Sequence, residues 1–244
     1  MSQFQGTFKR YEKKYLLTEN EYKLIKQRLE NKLAIDKFGR STICNIYFDT
    51  PDRYLIRNSL EKPIYKEKLR LRSYGTPSEG DMVFIELKKK YDGIVYKRRE
   101  KMELSMAERY LYDLEPASRT SQITREIDWV LQFYKGIAPS MYISYNRTAM
   151  YGLEDKELRI TFDSNILWRE EELWLECGVW GNPLLLEGCR LMEIKIPGAM
   201  PLWLSHILDE LEIYPTSLSK YGKGYEQSEL IKKNDKIKGV IKYA

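Results

Sequence analysis

A chain of 244 residues with 43% hydrophobic side chains can bury a substantial core, as one large domain or two small ones. Charged residues make up 32% of it, yet the formal net charge is only +5, which excludes a generic nucleic-acid coat and leaves any basic site to local clustering. Three cysteines without CxxC spacing argue against a disulfide framework or structural zinc, and a single histidine argues against Ser-His-Asp, Cys-His and His-ligated metal chemistry.

The first strand reads from Phe8 to Leu16, with Arg10, Glu12 and Lys14 on one face and Tyr11 and Tyr15 on the other. Thr18-Glu19-Asn20-Glu21 follows as a capping box, and Tyr22, Ile25, Leu29 and Leu33 continue at helical spacing. Ile43 to Asp49 is β-like and stops at Thr50-Pro51-Asp52. A strand from Lys66 to Tyr74 leads through a turn-rich loop into a hairpin, Met82 to Lys90 and Ile94 to Met102, joined at Tyr91-Asp92-Gly93. Ser105-Met106-Ala107-Glu108 reads as a second capping box, and Thr124 to Tyr134 as an amphipathic helix.

Further strands are expected at Met141 to Ala149, Glu157 to Asp163 and Leu191 to Ile196, with shorter ones at Leu173 to Cys177 and Leu184 to Glu187. Pro201 to Leu211 is a short helix that carries His206, read as a surface residue, and the lysine-rich tail after Ser228 is expected to fray. No N-terminal leader pattern and no apolar stretch of bilayer-spanning length is read, so the expectation is a cytoplasmic protein that would reach the inner face of a membrane only through a partner protein. The sum is α+β: a closed antiparallel β-barrel with flanking helices over residues 1–227, then a tail over 228–244.

Charge follows the alternation. In Lys66 to Arg72 every even position is cationic while Leu69 and Leu71 share the other face, and Phe84 to Lys88, Leu158 to Asp163 and Leu191 to Ile196 repeat the pattern. The inward set assembled this way is Lys14, Lys68, Arg70, Arg72, Lys88, Lys97, Arg99, Arg147, Arg159 and Lys195, with Glu12, Glu86, Asp163 and Glu193 on the same faces. A solvated face accounts for any one strand; across the set, an exposed face would mix polar residues and both signs, whereas here cations dominate. Spacing at i and i+2, about 7 Å, suits neighbouring phosphates, and arginine forks and lysine point charges both bind phosphate oxygens. Such crowding repels itself without an anion or interleaved carboxylates, so the empty site should be partly destabilising. The carboxylates are ion-pair partners or ligands of Mg²⁺ or Mn²⁺: Glu193 is the first metal candidate and Glu12 the second, with Asp163 and Glu86 read as pairing residues. Ser219-Lys220-Tyr221-Gly222-Lys223-Gly224 is no P-loop, but Lys220 and Lys223 can close over an anion; a solvated C-terminal loop is the alternative.

These residues resemble the VTC domain, the polyphosphate polymerase branch of the triphosphate tunnel metalloenzymes. The resemblance rests on Arg10 to Tyr15, Tyr47 to Pro51, Lys68 to Arg72, Glu86 to Lys88, Val95 to Arg99, Tyr145 to Ala149, Arg159 to Asp163, Glu193 to Lys195 and Ser219 to Tyr221, in that order. It implies an antiparallel tunnel that binds ATP phosphates and a growing polyphosphate with Mn²⁺ or Mg²⁺. The family's tunnel cations would fall on Lys14, Arg70, Arg72, Lys88, Lys97, Arg147, Arg159, Lys195, Lys220 and Lys223, and its metal-binding glutamate on Glu193. Hydrolases and cyclases of the wider superfamily open on an ExExK strand, whereas Arg10 stands here at the first Glu, which suits the polymerase branch. Inorganic triphosphate hydrolysis, or binding of polyphosphate without turnover, are the alternatives; nucleic acid is not an expected partner.

Overall fold

The hydrogen-bonded register carries the alternation of each strand across the sheet, so charged and apolar side chains separate onto two faces. The computed structural model describes residues 11–92 and 94–241, with the backbone alone for Phe38 and residues 236–241. The elements in chain order are β1 (Tyr11–Leu17), α1 (Glu19–Leu29), β2 (Leu33–Asp49), α2 (Tyr54–Leu60), β3 (Tyr65–Tyr74), β4 (Met82–Tyr91), β5 (Ile94–Glu103), α3 (Leu104–Tyr112), α4 (Gln122–Phe133), β6 (Ala138–Gly152), β7 (Arg159–Arg169), β8 (Asn182–Pro183), β9 (Arg190–Ile196), α5 (Leu202–Glu210) and α6 (Lys220–Ile241). Every strand pair is antiparallel, in the order β1-β9-β7-β6-β2-β3-β4-β5, with β8 attached to β7.

The outer face is the apolar one. Cys44, Ile46, Leu69, Leu71, Val83, Ile85 and Leu87 pack under Ala107 and Leu111 of α3 and Ile127 and Val130 of α4. On the other half Tyr15, Leu17, Ile160, Phe162, Met192 and Ile194 pack under Ile25 and Leu29 of α1 and Leu204, Ile207 and Leu208 of α5. Burying these side chains supplies the main driving force for the fold, at about 1.5–3 kcal/mol each. Glu67 interrupts this face and is buried there, its carboxylate accepting from the Tyr134 hydroxyl at 2.6 Å.

Among the described residues the expected closure does not form. β1 and β5 end the path with no ladder between them. The second edge of β1 is taken up elsewhere: the Thr216 N–H donates to the Lys14 carbonyl at 2.7 Å, and Lys14 Nζ donates to the Leu218 carbonyl at 3.0 Å. The sheet still curls far enough that Glu12 and Lys14 on β1 act electrostatically on Lys88 of β4, so it is an open trough rather than a closed barrel.

Four local expectations change. The Thr18–Glu21 capping box is present, but α1 ends at Leu29, and Leu33 instead begins β2, paired with Gly152. α3 begins at Leu104 with Glu103 as N-cap and no side-chain cap, so the Ser105–Glu108 box does not form; the Leu104 N–H is satisfied by the Asp81 carbonyl. No strand runs through 173–177 or 184–187. The Arg169 guanidinium collects the carbonyls of Glu171, Glu172, Trp174, Gly178 and Trp180, which curls this segment round one buried cation, with a 3₁₀ turn at Leu175–Cys177. Finally, the glycine-bearing segment from Lys220 and the tail expected to fray, as far as Ile241, form one helix, α6. Gly222 and Gly224 in its first turns let it sit close: a Cβ on Gly224 would lie 2.7 Å from the Met141 sulfur, and one on Gly222 2.9 Å from Leu60 Cδ2. Among the described residues no helix is long and apolar enough to cross a membrane.

Candidate functional site

The inner face of the trough carries the charges. The register places Glu12 beside Lys195, Lys14 beside Glu193, Arg147 beside Asp163, Arg70 beside Glu86, Lys68 beside Lys88, and Glu86 and Lys88 beside Arg99 and Lys97. Lys14, Lys68, Arg70, Arg72, Lys88, Lys97, Arg99, Arg147, Arg159 and Lys195 therefore share one face, and Lys220 joins them from the first turn of α6. Arg10 lies outside the described residues. Lys223 is not brought in: it is exposed on α6 and paired with Glu226 at 3.8 Å. Arg159 stands at the rim, 3.5 Å from Asp36.

Two buried carboxylate centres organise the cations. Glu86, 1% exposed, accepts from Arg70 Nε at 2.8 Å and Nη2 at 2.6 Å, from Lys97 at 2.9 Å and from Arg99 Nε at 2.7 Å. Burial alone would raise its pKa; Arg70, then Arg72 and Lys97, outweigh burial and hold it below the usual carboxylate range. The second centre joins Asp163 and Glu193. Arg147 forks onto Asp163 at 2.6 and 2.7 Å and reaches Glu193 at 3.3 Å; Lys220 lies 2.6 Å from Asp163 and 3.2 Å from Glu193; Lys195 lies 3.4 Å from Glu193. Against burial, Lys220, Lys195 and Arg147 hold Glu193 well below the ordinary range. Tyr145 links the centres, accepting from Arg72 at 3.2 Å while Lys220 and Arg147 lie over its ring. Arg72 is buried, with Nε on Asn45 Oδ1 at 2.8 Å, and so supports the site from behind.

Sequence reading missed the residues that close one end. Asp49 accepts from the N–H groups of Leu55 and Ile56 at 2.8 and 3.0 Å, which starts α2, and from the Tyr221 hydroxyl at 2.7 Å, which docks α6. Tyr221 stacks on Tyr47 at 4.6 Å, and Tyr47 accepts from Arg70 at 3.0 Å. Met141, Ile143, Ile166, Trp168 and Leu191 fill that end with apolar side chains. The available signal was parity: Asn45 and Tyr47 share a face within an otherwise apolar run, and Tyr47 lies opposite Arg70.

The field of these cations reaches their neighbours. Burial pushes the Tyr47 phenol up, but Arg70, Arg72 and Lys68 outweigh it and bring it down to about 8. Burial, aided by Lys14, Lys66 and Lys88, lowers Lys68 to about 8; burial also outweighs Glu86 at Lys97 and brings it to about 8. Solvent reaches Lys88, yet the protein round it lowers its pKa; Glu12 opposes that effect, and Lys14, Arg70 and Lys195 add to it. A pH dependence follows. Through pH 8 the face loses the Lys68 and Lys97 protons and gains a Tyr47 phenolate, so affinity for tripolyphosphate is expected to fall between about pH 7 and 9. Stability without ligand should move the other way. All three groups bind protons less tightly folded than unfolded, so stability rises from about pH 8 towards the unfolded values near 10. Calorimetric titrations and melting curves across this range check both signs; an affinity that holds or rises with pH would rule out these groups as the anion's partners.

The sequence pattern of the VTC domain matches residues 9–229. No curated protein matches the sequence. A putative adenylate cyclase from Bacillus halodurans shares the fold over 88% of this chain and 96% of its own, with a TM-score of 0.55 and 15% identity. A putative adenylyl cyclase from Hippeastrum, described as having a dominant triphosphatase activity, shares it over 88% and 95%, again with a TM-score of 0.55 and 15% identity. At that identity the two likenesses speak for the fold alone. The family match covers nearly the whole of the trough and the first turns of α6, and the chain belongs to the VTC domain family.

Proposed function

We propose that this chain is a polyphosphate polymerase, which transfers the γ-phosphoryl group of ATP to the end of an inorganic polyphosphate on the cationic face of the trough. The observation that carries the reading is how the charges are divided. Buried carboxylates fix Arg70, Arg99, Arg147 and Lys220 in place, while Lys68 and Lys88 face each other and, among the described residues, make no ion pair. Phosphoryl transfer depends on positioning and on neutralising charge spread over the phosphoryl oxygens. A terminal phosphate oxygen of the acceptor is already anionic; it attacks the γ-phosphorus, the bond to the β–γ bridging oxygen breaks, and ADP leaves with that electron pair. No proton moves, so no general base is required, and the one histidine, His206, is exposed on α5 away from this face. Lys14, Lys68, Lys88 and Lys195 neutralise the phosphates, and the pinned arginines orient them.

Among the described residues no group of three or more carboxylate, cysteine or histidine side chains forms a ready-made metal cage. Glu12 fits a divalent ion that arrives with its phosphates, being partly exposed and only loosely paired, 3.7 Å from Lys14 and 3.9 Å from Lys195. Glu193, whose two oxygens meet Lys220, Arg147 and Lys195, would join it as the phosphates draw those cations to themselves. Mg²⁺ or Mn²⁺ bound there would neutralise phosphoryl charge. Purified protein incubated with ATP and Mn²⁺, with products resolved by length, tests the proposal: long chains support it, free phosphate alone selects hydrolysis with Glu12 orienting water, and no turnover selects a binding module. Glu193→Gln is expected to lower activity and weaken the Mn²⁺ dependence. The amide preserves shape, so the fold is kept, but at a lower melting temperature because Arg147, Lys195 and Lys220 lose a buried counter-charge. Unchanged Mn²⁺ dependence would count against a metal role for Glu193.

A further inference from the structure

At one mouth of the trough two successive cross-strand pairs hold like charges. In the β3–β4 ladder Lys68 stands directly opposite Lys88, and one rung further out Lys66 stands opposite Lys90. Directly opposed like charges destabilise a sheet, with Cα atoms only about 4.5–5.5 Å apart. Elsewhere on this face carboxylates relieve the crowding: Glu86 serves Arg70, Lys97 and Arg99, and Asp163 with Glu193 serves Arg147, Lys195 and Lys220. Among the described residues none of the four ladder lysines makes an ion pair. Lys66 donates to the neutral Ser59 carbonyl at 3.0 Å, and Lys68 to the Ser219 hydroxyl at 3.2 Å. Exposed Lys62 adds its charge to the field at Lys66. Tyr221, Met141 and Trp168 fill the opposite side of the same end, which leaves the lysine ladder as its polar side.

We propose that the Lys66–Lys90 pair is a binding subsite for phosphates of an already formed polyphosphate, so that the chain leaves the trough along the β3–β4 ladder. The proposal rests on the polymerase reading and adds a direction to it. Successive rungs lie about 7 Å apart along the strands, so a long chain held at Arg70 and Lys88 continues over Lys66 and Lys90, whereas a short one ends before it spans both. The uncompensated lysines are then the site's empty state, and the chain supplies the missing negative charge.

The test compares calorimetric titrations of tripolyphosphate and of a polyphosphate of about ten phosphates, on wild type, Lys66→Gln/Lys90→Gln, and a Lys23→Gln/Lys26→Gln control on the outer helix α1. The ladder variant is expected to lose affinity for the long chain by about fivefold or more beyond its loss for tripolyphosphate, roughly 1 kcal/mol of difference. Its melting temperature without ligand should not fall, since repulsion is relieved. Equal losses for the two ligands, or the same differential loss in the α1 control, would overturn the subsite. A DNA oligonucleotide of equal charge that showed the same dependence on Lys66 and Lys90 would overturn its assignment to polyphosphate. If wild type bound neither phosphate ligand, the polymerase reading itself would fail, and that outcome is distinct from a wild type that binds both without using the ladder.

Discussion

Glu86→Gln is expected to lower the melting temperature by on the order of 10 °C. The carboxylate is 1% exposed and is bonded by Arg70, Lys97 and Arg99. Removing one partner of a buried ion pair costs about 3–5 kcal/mol, because the remaining charge is left without compensation. In a chain of this size each kcal/mol shifts the midpoint by about 2–4 °C. The glutamine keeps the shape, so the loss reports charge. The sign with pH is fixed: the folded carboxyl titrates below its unfolded value, so its contribution is complete above about pH 4.3 and fades as pH falls towards the folded value. The mutant's deficit should therefore be full at pH 7 and shrink in acid. Tripolyphosphate should restore part of it, by bringing anionic charge back to the same arginines. A mutant that melts with wild type at pH 7 would show that Glu86 is not the counter-ion of this cluster.

Tripolyphosphate is expected to raise the wild-type midpoint by about 5–10 °C at a hundredfold excess over its Kd, since a ligand that binds only the folded state then contributes about 2.7 kcal/mol. The shift should shrink in high salt, which screens the attraction. Lys88→Ala and Arg70→Ala should both weaken the shift, but they part company without ligand. Lys88 has no ion pair among the described residues and faces Lys68 and Lys97, so truncating it relieves repulsion and leaves the midpoint level or higher. Arg70 makes two bonds to Glu86 and one to Tyr47, so its loss destabilises. Crowding of like charge alone would have relief follow from either truncation; the Glu86 centre is what separates them. No ligand-induced shift in wild type would remove the anion site, for polymerase and binding module alike.

Parity made much of the site legible. Once Lys68, Arg70 and Arg72 are placed opposite Leu69 and Leu71, their face follows from the pleat, and the same argument places Lys88, Arg147 and Lys195. Parity says nothing about which cation each carboxylate holds, because that depends on strand order: Glu86 meets Arg99 and Arg70 only because β4 lies between β5 and β3. Nor could it foresee closure, because whether two edges meet depends on what else takes them, here Thr216 on β1. The Arg169 loop escaped for a related reason. Its segment has the composition of a strand, but one buried guanidinium collects the carbonyls of Glu171, Glu172, Trp174, Gly178 and Trp180 and curls it away from a ladder. The sequence lets Lys220 close over an anion but names no partner for it, and Asp49 stands only within the Tyr47–Pro51 stretch of the family resemblance; alternation reveals the partner of neither, since the contacts span about 60 to 170 residues of sequence.

The ladder between β1 and β9 joins residues 11–17 to residues 190–196. On a ribosome adding about 5–20 residues per second, β1 would wait on the order of 10–40 s for its neighbour. Through that interval it is an unpaired strand, the kind of segment that seeds association between nascent chains, and charged side chains are the usual protection for such an edge. Glu12, Lys13 and Lys14 give β1 that protection. The charges that in the folded chain line the inner face, Glu12 and Lys14, thus help keep the newborn strand apart from its copies until β9 emerges.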